Sequence, residues 1–307
     1  MTLAYSPRPV ARAALCALAI VATLAIAPSA FAIPDVHASA TATPSIDAYR
    51  GLGGWIDIWD KPAFDRPEAA IRDMANHGVR TVYIETSNSS RTYAIHRPDR
   101  TARLIRAAHA RGMKVVAWYL PDLRWKGRDL DRVKAAIRFR TSDGQRFDSF
   151  ALDIESSVVK PAAERNRRLK WVSDRTRAFV GPRYPLGAII PSPKGMQSSK
   201  TYWPGFPYSS LAATYDVFVP MSYYTYHGDG YAAAYADTLA NVRILRAQPG
   251  CATEPIHLIG GVASKSSAYE VRAFVRAANE TGVEGASLYS WPEMTKAHWA
   301  ELKALKR

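Results

Sequence analysis

Two acidic residues, Asp153 and Glu155, stand two positions apart at the end of an apolar run, residues 147–155. The run is typical of a short buried strand, and residues i and i+2 of a strand point to the same face. We therefore expect the two carboxylates side by side where the strand meets solvent. Because adjacent carboxylates disfavour joint ionisation, one of them can hold a proton near neutral pH and act as a general acid. The competing interpretation is that both side chains only cap the loop that follows.

Similar strand-like segments occur along the whole chain after about residue 50. Their starts lie roughly 26 to 41 residues apart, which is the length of a strand plus a crossover helix. The eight segments are 53–59, 79–85, 113–119, 147–155, 185–190, 215–223, 256–260 and 285–291.

Three junctions between a predicted helix and the next strand share one pattern, in which a glycine is followed at once by an apolar strand. They are His77-Gly78-Val79, Arg111-Gly112-Met113 and Thr281-Gly282-Val283. Glycine there is typical of a helix that ends in the left-handed conformation. Short junctions between alternating strands and helices predict a parallel sheet, and eight such units predict an α/β fold, a single-domain (β/α)8 TIM barrel over residues 50–307. The alternative, an open doubly wound sheet, lacks a glycine-rich phosphate loop after the first strand.

In barrels of this kind the active site lies at the carboxyl ends of the strands. Aromatic and acidic residues collect at those ends. Flat aromatic rings can stack on sugar rings, and carboxylates can bind their hydroxyl groups. The combination indicates a sugar-binding cleft. Taken singly, aromatic residues usually belong to the core. The histidines at 96, 227 and 257 are not at metal-ligand spacing, so we predict no metal and no cofactor. The strand-end candidates for substrate binding are Trp55, Asp57, Glu85, Trp118, Met221, Tyr224 and Trp291.

The first 32 residues predict a signal peptide. Arg8 and Arg12 form a basic n-region, residues 13–27 an apolar h-region, and residues 30–32 a small-residue cleavage site. The h-region is too short to span a membrane, and no other apolar run is long enough. We therefore expect a secreted, soluble protein without a transmembrane span. Residues 33–49, rich in Ala, Ser, Thr and Pro, are predicted to form a flexible leader.

The chain is basic, with 41 Lys and Arg against 27 Asp and Glu and a formal net charge of +14. Removal of the signal peptide takes away Arg8 and Arg12 and leaves +12. The basic residues are spread over predicted helices, which is typical of a solvated outer face. The alternative is attraction to an anionic cell surface such as a cell wall or membrane. No nucleic-acid-binding motif accompanies the charge, so no nucleic-acid partner is expected.

The fourth strand resembles the signature of family 18 glycoside hydrolases, the chitinase-like barrels, which runs Asp-Gly-x-Asp-x-Asp-x-Glu. Asp148, Asp153 and Glu155 match this signature. Ser149 replaces the glycine, and Ala151 replaces the middle aspartate. Lysozyme-type barrels with a fourth-strand Leu-Asp-x-Glu are a related resemblance.

Two further strands carry the same resemblance. Met221-Ser222-Tyr223 is similar to the family's sixth-strand Met-x-Tyr, with Tyr224 where an aspartate or asparagine is usual. Trp291 is similar to the tryptophan of the eighth strand. The resemblance covers the barrel in outline, from about residue 50 to residue 300.

The resemblance implies a role for each matching residue. Glu155 would protonate the glycosidic oxygen, and Asp153 would orient the substrate's acetamido group and stabilise the charge that develops on it. Tyr223 would bind the same group, and Asp148 joins the substrate-binding residues by its match. In the family the middle aspartate supports the one after it electrostatically, and Ala151 does not provide that support. The family also contains barrels that bind sugar without cutting it.

We therefore predict a secreted, monomeric glycoside hydrolase that acts on a polysaccharide or cell-wall glycan, including one that contains N-acetylhexosamine. The alternatives are a non-catalytic carbohydrate-binding barrel and a barrel hydrolase of non-sugar polymers. Asp153 stands on the same side as Glu155 and is badly placed to attack the sugar carbon. A protein nucleophile would have to be Asp57 or Glu85, whereas the resemblance implies attack by the substrate's own acetamido oxygen.

Overall fold

The computed structural model describes residues 44–306, so the predicted signal peptide and most of the predicted leader lie outside the described residues. Eight parallel strands within this range close into a barrel in chain order. Each strand coincides with one of the predicted segments, which confirms the (β/α)8 barrel. The strands are β1 Gly51–Ile56, β2 Thr81–Asn88, β3 Lys114–Leu120, β4 Ser149–Asp153, β5 Leu186–Pro191, β6 Val217–Met221, β7 His257–Val262 and β8 Gly285–Tyr289.

Helices surround the barrel and connect successive strands. They are α1 Lys61–Asp65, α2 Pro67–Asn76, α3 Pro98–His109, α4 Lys126–Arg138, α5 Ala162–Val180, α6 Pro193–Ser198, α7 Tyr208–Ala212, α8 Tyr231–Arg246, α9 Ala268–Thr281 and α10 Lys296–Leu302. Short 3₁₀ helices lie at Asp47–Tyr49, Tyr224–Tyr226, Ala263–Lys265 and Trp291–Glu293. At the junctions after α2, α3 and α9, the glycines have φ angles of 85°, 68° and 67°, which confirms the predicted left-handed helix ends. Within residues 44–306, no helix is long and apolar enough to cross a membrane.

Side chains of the strands alternate between the interior of the barrel and the layer that packs on the helices. On β4, Ala151 belongs to the interior cluster, whereas Phe150 belongs to the core under the helices. Asp153 therefore faces the interior, one level above Ala151. The register pairs Glu85 with Trp118 and Trp118 with Ala151, so these three residues occupy one level across β2, β3 and β4.

Tyr49 closes the lower end of the barrel, where the strands begin. Its side chain is fully buried, and its hydroxyl oxygen lies 2.6 Å from Ser149 Oγ. A Cβ atom at Gly187 would come within 2.5 Å of that hydroxyl, so only glycine fits beside the ring. Tyr49 lies at the end of the segment 33–49 that the sequence analysis assigns to the leader. Its packing makes the last turn of that segment part of the barrel.

Candidate active site

Strand β4 brings Asp153 and Glu155 to the carboxyl end of the barrel. Asp153 is the last residue of the strand and is 6% exposed, and Glu155 follows in the loop and is half-buried. The Asp153 Oδ1 atom is buried and accepts no hydrogen bond from any group in residues 44–306. An unsatisfied buried polar group costs about 1–3 kcal/mol. A buried carboxylate oxygen without a hydrogen-bond partner is rare in folded proteins. It is explained if Asp153 Oδ1 accepts a hydrogen bond from a bound ligand.

The two carboxyl groups hold protons more strongly than isolated ones. Burial raises the pKa of Asp153 well above its ordinary value, and the charges of Glu155 and Glu85 raise it further. Burial also raises the pKa of Glu155. Because the groups interact, their protons leave in steps that belong to the pair. The pair therefore keeps a proton to higher pH than a single exposed carboxyl does, as a general acid requires.

A cavity of about 370 Å³ lies beside Glu155, between the carboxyl ends of β4, β5 and β6. Met221 and Tyr223 line it from the β6 side. Tyr223 has a left-handed φ of 38°, a conformation that costs of order 1–3 kcal/mol for a residue other than glycine. Strain of this kind persists only where the surrounding structure holds a residue in place, and it is concentrated at functional sites.

The hydroxyl of Tyr223 is kept protonated. Burial raises its pKa well above the ordinary value, and the charges of Asp153 and Glu155 add to the shift. Tyr223 is thus a permanent hydrogen-bond donor next to the acid pair.

Tyr202, Ser192 and His227 line the cavity but are not among the site residues predicted from the sequence. The Tyr202 hydroxyl donates a hydrogen bond of 2.5 Å to the main-chain carbonyl of Glu155. The guanidinium of Arg165 on α5 donates to the main-chain carbonyl of Tyr202 at 2.9 Å. These contacts fix the backbone that carries Glu155. The sequence signal for Tyr202 was its place in the aromatic stretch 202–208 after β5.

Two of the predicted tryptophans form the floor below the acid pair. Trp55 is 2% exposed, stacks on Tyr83 with 4.1 Å between ring centroids, and donates from Nε1 to Ser287 Oγ at 2.8 Å. Trp118 is also buried and lies one level below Asp153, and its Nε1 has no hydrogen-bond partner within residues 44–306. Trp55 therefore fills the barrel, while the free indole nitrogen of Trp118 can serve a bound ligand.

Acidic residues also gather at the ends of β1 and β2. Glu85 is buried and accepts hydrogen bonds from the Ile58 main-chain N–H at 2.9 Å and from Asn88 Nδ2 at 3.1 Å. Burial raises its pKa to about 7. Asp57 accepts a hydrogen bond of 2.7 Å from the Tyr289 hydroxyl. Both oxygens of Glu85 are thus engaged by the protein, and Tyr289 provides the strand-eight aromatic of this rim.

Burial and the neighbouring Asp57 raise the pKa of Asp60 in the loop after β1 to about 7. Within residues 44–306, no group of three or more His, Cys, Asp or Glu side chains is arranged to hold a metal ion.

The structure corrects the prediction that Asp148 binds substrate. Asp148 precedes β4 and lies at the lower end of the barrel, opposite Glu155. Its carboxylate accepts hydrogen bonds from His109 Nε2 at 2.9 Å and from the Val115 main-chain N–H at 2.8 Å. It therefore ties α3 and β3 to the start of β4 and has no access to the cavity.

Tyr224 and Trp291 also lie outside the cleft, contrary to prediction. Tyr224 is fully buried between the barrel and the helices, where its hydroxyl donates to Ser266 Oγ at 3.0 Å. Trp291 follows β8 in a 3₁₀ turn, and its Nε1 donates to Asp73 on α2 at 2.8 Å. Both residues come after the regular strand has ended, so the alternation of faces no longer places them at the rim.

No family model matches the sequence, and no curated protein is similar to it in sequence. Solved structures share its fold. The endo-β-1,4-mannanase of Thermotoga petrophila aligns with a TM-score of 0.60 over 79% of this chain and 68% of its own, at 12% identity. A chitinase of Chromobacterium violaceum aligns with a TM-score of 0.57 over 84% and 99%, at 14% identity. The spore cortex-lytic enzyme SleL of Bacillus cereus gives 0.60 over 83% and 74%, at 10% identity. At these identities the similarity is one of fold.

Proposed function

We propose that the protein is a glycoside hydrolase that cuts a polysaccharide containing N-acetylhexosamine, with Glu155 as the general acid. The observation that carries this proposal is the position of Asp153 and Glu155. They are a proton-retaining pair at the open end of the barrel, beside a cavity edged by Tyr223. The names of the mannanase, the chitinase and the cortex-lytic enzyme, which share the fold, support this reaction class.

In the first step Glu155 donates its proton to the glycosidic oxygen. The bond from this oxygen to the anomeric carbon then breaks, and its electron pair leaves with the oxygen. The carbonyl oxygen of the neighbouring acetamido group forms a bond to the anomeric carbon and closes a positively charged ring. Asp153 stabilises that charge from below, and the Tyr223 hydroxyl, which is a fixed donor, orients the acetamido group.

In the second step water attacks the anomeric carbon and opens the ring. Glu155, now ionised, takes a proton from this water, and the acetamido group returns to its original form. The net reaction is hydrolysis of the glycosidic bond, and Glu155 is protonated again for the next cycle. The anomeric configuration is retained, because each of the two attacks comes from the face opposite the departing oxygen and inverts the anomeric carbon, and two inversions restore the original configuration.

A protein nucleophile fits the geometry less well. Asp153 ends β4 and Glu155 follows it by two residues, close enough for the charge of Glu155 to raise the pKa of Asp153. Asp153 therefore lies beside the acid rather than across the bond to be cut. Glu85 is buried and binds Ile58 and Asn88 through both of its oxygens. Asp57 is engaged by the Tyr289 hydroxyl at 2.7 Å. The substrate's acetamido group therefore remains the best-placed nucleophile.

We also propose that the mature protein starts near Ile33 and acts outside the cell on a polysaccharide or cell-wall glycan. The signal-peptide pattern of residues 1–32 supports export. Mass spectrometry of protein recovered from the culture medium tests this, and an intact N-terminal segment on the exported protein would contradict it.

The function itself is tested with residues 33–307 and a panel of polysaccharides, in which new reducing ends are measured. An N-acetylated glycan should be cut, and its de-acetylated form should be cut far more slowly. A thiazoline mimic of the cyclised intermediate should inhibit. Equal cleavage of both forms would refute substrate assistance. Binding without any new reducing ends would identify a non-catalytic carbohydrate-binding barrel.

A further inference from the structure

A second cavity, of about 570 Å³, opens at the carboxyl end of the barrel beside the loop that follows β3. Trp125, Lys126 and Arg128 line it at the start of α4, and Arg168 lines it from the first turns of α5. Helix α5 follows β4 and the loop that carries Glu155. The cavity beside Glu155 lies on the β5 and β6 side of β4, whereas this one lies on the β3 side. The two cavities thus lie on opposite sides of β4.

The lining of this cavity is strongly cationic. Arg124, Lys126, Arg128 and Arg168 face a single lining carboxylate, Glu164. Asp122 lies behind the cavity and is paired with Arg124 at 2.8 Å and, more loosely, with Arg128 at 3.8 Å. Lys126 has no carboxylate within salt-bridge distance among residues 44–306 and lies 4.8 Å from the centre of the Trp171 ring. Four cations against two carboxylates leave a surplus of two positive charges.

The start of α4 adds main-chain donors to this charge. Trp125 is its N-cap residue, and its side chain makes no capping hydrogen bond. Asp129 in the first turn is buried and accepts instead from the Tyr119 hydroxyl and the Leu123 main-chain N–H. A Cβ at Gly127 would meet nothing within 4 Å, so the backbone there is open to a ligand. The uncapped N–H groups of a helix N-terminus favour bound anions.

Trp125 supplies a surface for a sugar ring. Its side chain is 63% exposed at the edge of the cavity, and large exposed aromatic residues beside polar groups are typical of binding sites. An indole next to guanidinium and ammonium groups is suited to a sugar that carries a negative charge.

We propose that this cavity is a subsite for an anionic substituent, a carboxylate or a phosphate group, on a sugar of the glycan chain bound across Glu155. The inference rests on the proposed function, because it assigns a substrate class to the same cleft. Arg128 and Lys126 bind the charged oxygens, and Trp125 stacks on the ring. Arg168 is paired with Glu164 and donates to the main-chain carbonyls of Leu123 and Arg124, so it holds the wall of the cavity and adds its charge from there.

The test measures binding by calorimetry with the Glu155→Gln variant, so that no turnover is needed. Three chitin derivatives serve as probes: neutral glycol chitin, carboxymethyl chitin and phosphorylated chitin. The two anionic probes separate the carboxylate from the phosphate, and the tighter of them identifies the substituent. The double change Lys126→Gln and Arg128→Gln should lower the preference for the anionic over the neutral probe about tenfold, the order expected for two partly exposed charge contacts.

The matched control is Lys303→Gln with Lys306→Gln, which removes two exposed charges from the end of α10. This control corrects for attraction of an anionic polymer to a basic protein, and it should leave the preference unchanged. Unfolding midpoints of both double variants verify the fold. Equal losses in the two double variants, or no preference in the parent, would overturn the inference. If preference is found but the wild type releases no reducing ends, the proposed function fails and the anionic subsite stands.

Discussion

Replacement of Glu85 by glutamine tests whether the buried carboxylate of Glu85 lowers the free energy of unfolding of the barrel. Glu85 lies on the same interior level as Ala151, where the chitinase-like signature has its middle aspartate. Its charge raises the pKa of Asp153. Glu85 is thus the carboxylate that acts on Asp153 from the neighbouring strands in place of the missing aspartate.

The size of the expected stability change follows from the raised pKa of Glu85. Burial raises its pKa from 4.5 to about 7, and these roughly 2.5 units correspond to about 3.4 kcal/mol. The folded state binds this proton more tightly than the unfolded state does. The cost is therefore absent below pH 4.5, grows as the pH rises, and is complete above pH 7. Solvent relaxation around the site makes about 3 kcal/mol an upper figure.

The assay is urea unfolding of wild type and Glu85→Gln, followed by circular dichroism at pH values from about 4.5 to about 8. The free energy of unfolding of Glu85→Gln minus that of wild type should increase by up to about 3 kcal/mol as the pH rises over this range. Glu68→Gln is the control. The hydrogen bond and ion pair with Arg103 lower the pKa of Glu68 below 4.5, so its contribution to stability is nearly complete over this pH range, and the difference between Glu68→Gln and wild type should stay almost constant. A difference between Glu85→Gln and wild type that stays constant with pH would refute the reasoning.

The same variant should shift the pH profile of the reaction. Without the charge of Glu85 the pKa of Asp153 falls, so the acid pair loses its proton at lower pH. The alkaline limb of kcat/KM should move to lower pH, while the maximum rate falls far less than in Glu155→Gln. An alkaline limb that does not move would show that Glu85 does not act on Asp153.

Three further changes test individual positions. Tyr223→Phe should leave the fold intact and raise KM for an N-acetylated glycan about tenfold, the worth of one hydrogen bond near a charge; an unchanged KM would place the hydroxyl outside the site. Asp148→Asn should cost about 1–3 kcal/mol in urea unfolding at neutral pH without changing kcat/KM. Although burial opposes it, hydrogen bonds from His109 and Val115 lower the pKa of Asp148, so this loss should shrink as falling pH protonates the carboxyl. Tyr224→Phe should lower Tm through the lost contact with Ser266 and leave glycan affinity unchanged.

The fold was predictable because each strand is a short apolar run set between helices of ordinary length. Eight such strand and helix units predict a closed parallel barrel, and the glycine junctions mark where the helices end. The same strand period placed Asp153 at the rim, and Glu155 lies beside it although it stands two residues past the end of β4. The same alternation of faces explains why Asp148 does not reach the cavity. Asp148 lies an odd number of positions before Asp153, so its side chain belongs to the opposite face of β4.

Positions beyond the strand ends were not predictable in the same way. The backbone turns left-handed at Tyr223, which breaks the alternation and sends Tyr224 under the helices. After β8 a 3₁₀ turn carries Trp291 to Asp73 on α2, and Tyr289 takes the place at the rim. Tyr202 reaches Glu155 only because the long loop after β5 folds back over β4. Such contacts depend on tertiary packing, and no local sequence period records them.

The most direct test of the account is the release of reducing ends from an N-acetylated polysaccharide by Glu155→Gln, compared with Glu85→Gln, Asp57→Asn and the surface control Glu68→Gln. A glutamine at position 155 keeps the shape of the acid but has no proton to give. Its rate should fall by about three orders of magnitude or more, within the range for loss of a positioned general acid, while glycan binding persists. The other three variants should keep most of their activity. A Glu155→Gln enzyme that cuts as fast as wild type, or an Asp57→Asn or Glu85→Gln enzyme that is equally impaired, would contradict the assignment of Glu155 as the acid in a substrate-assisted reaction.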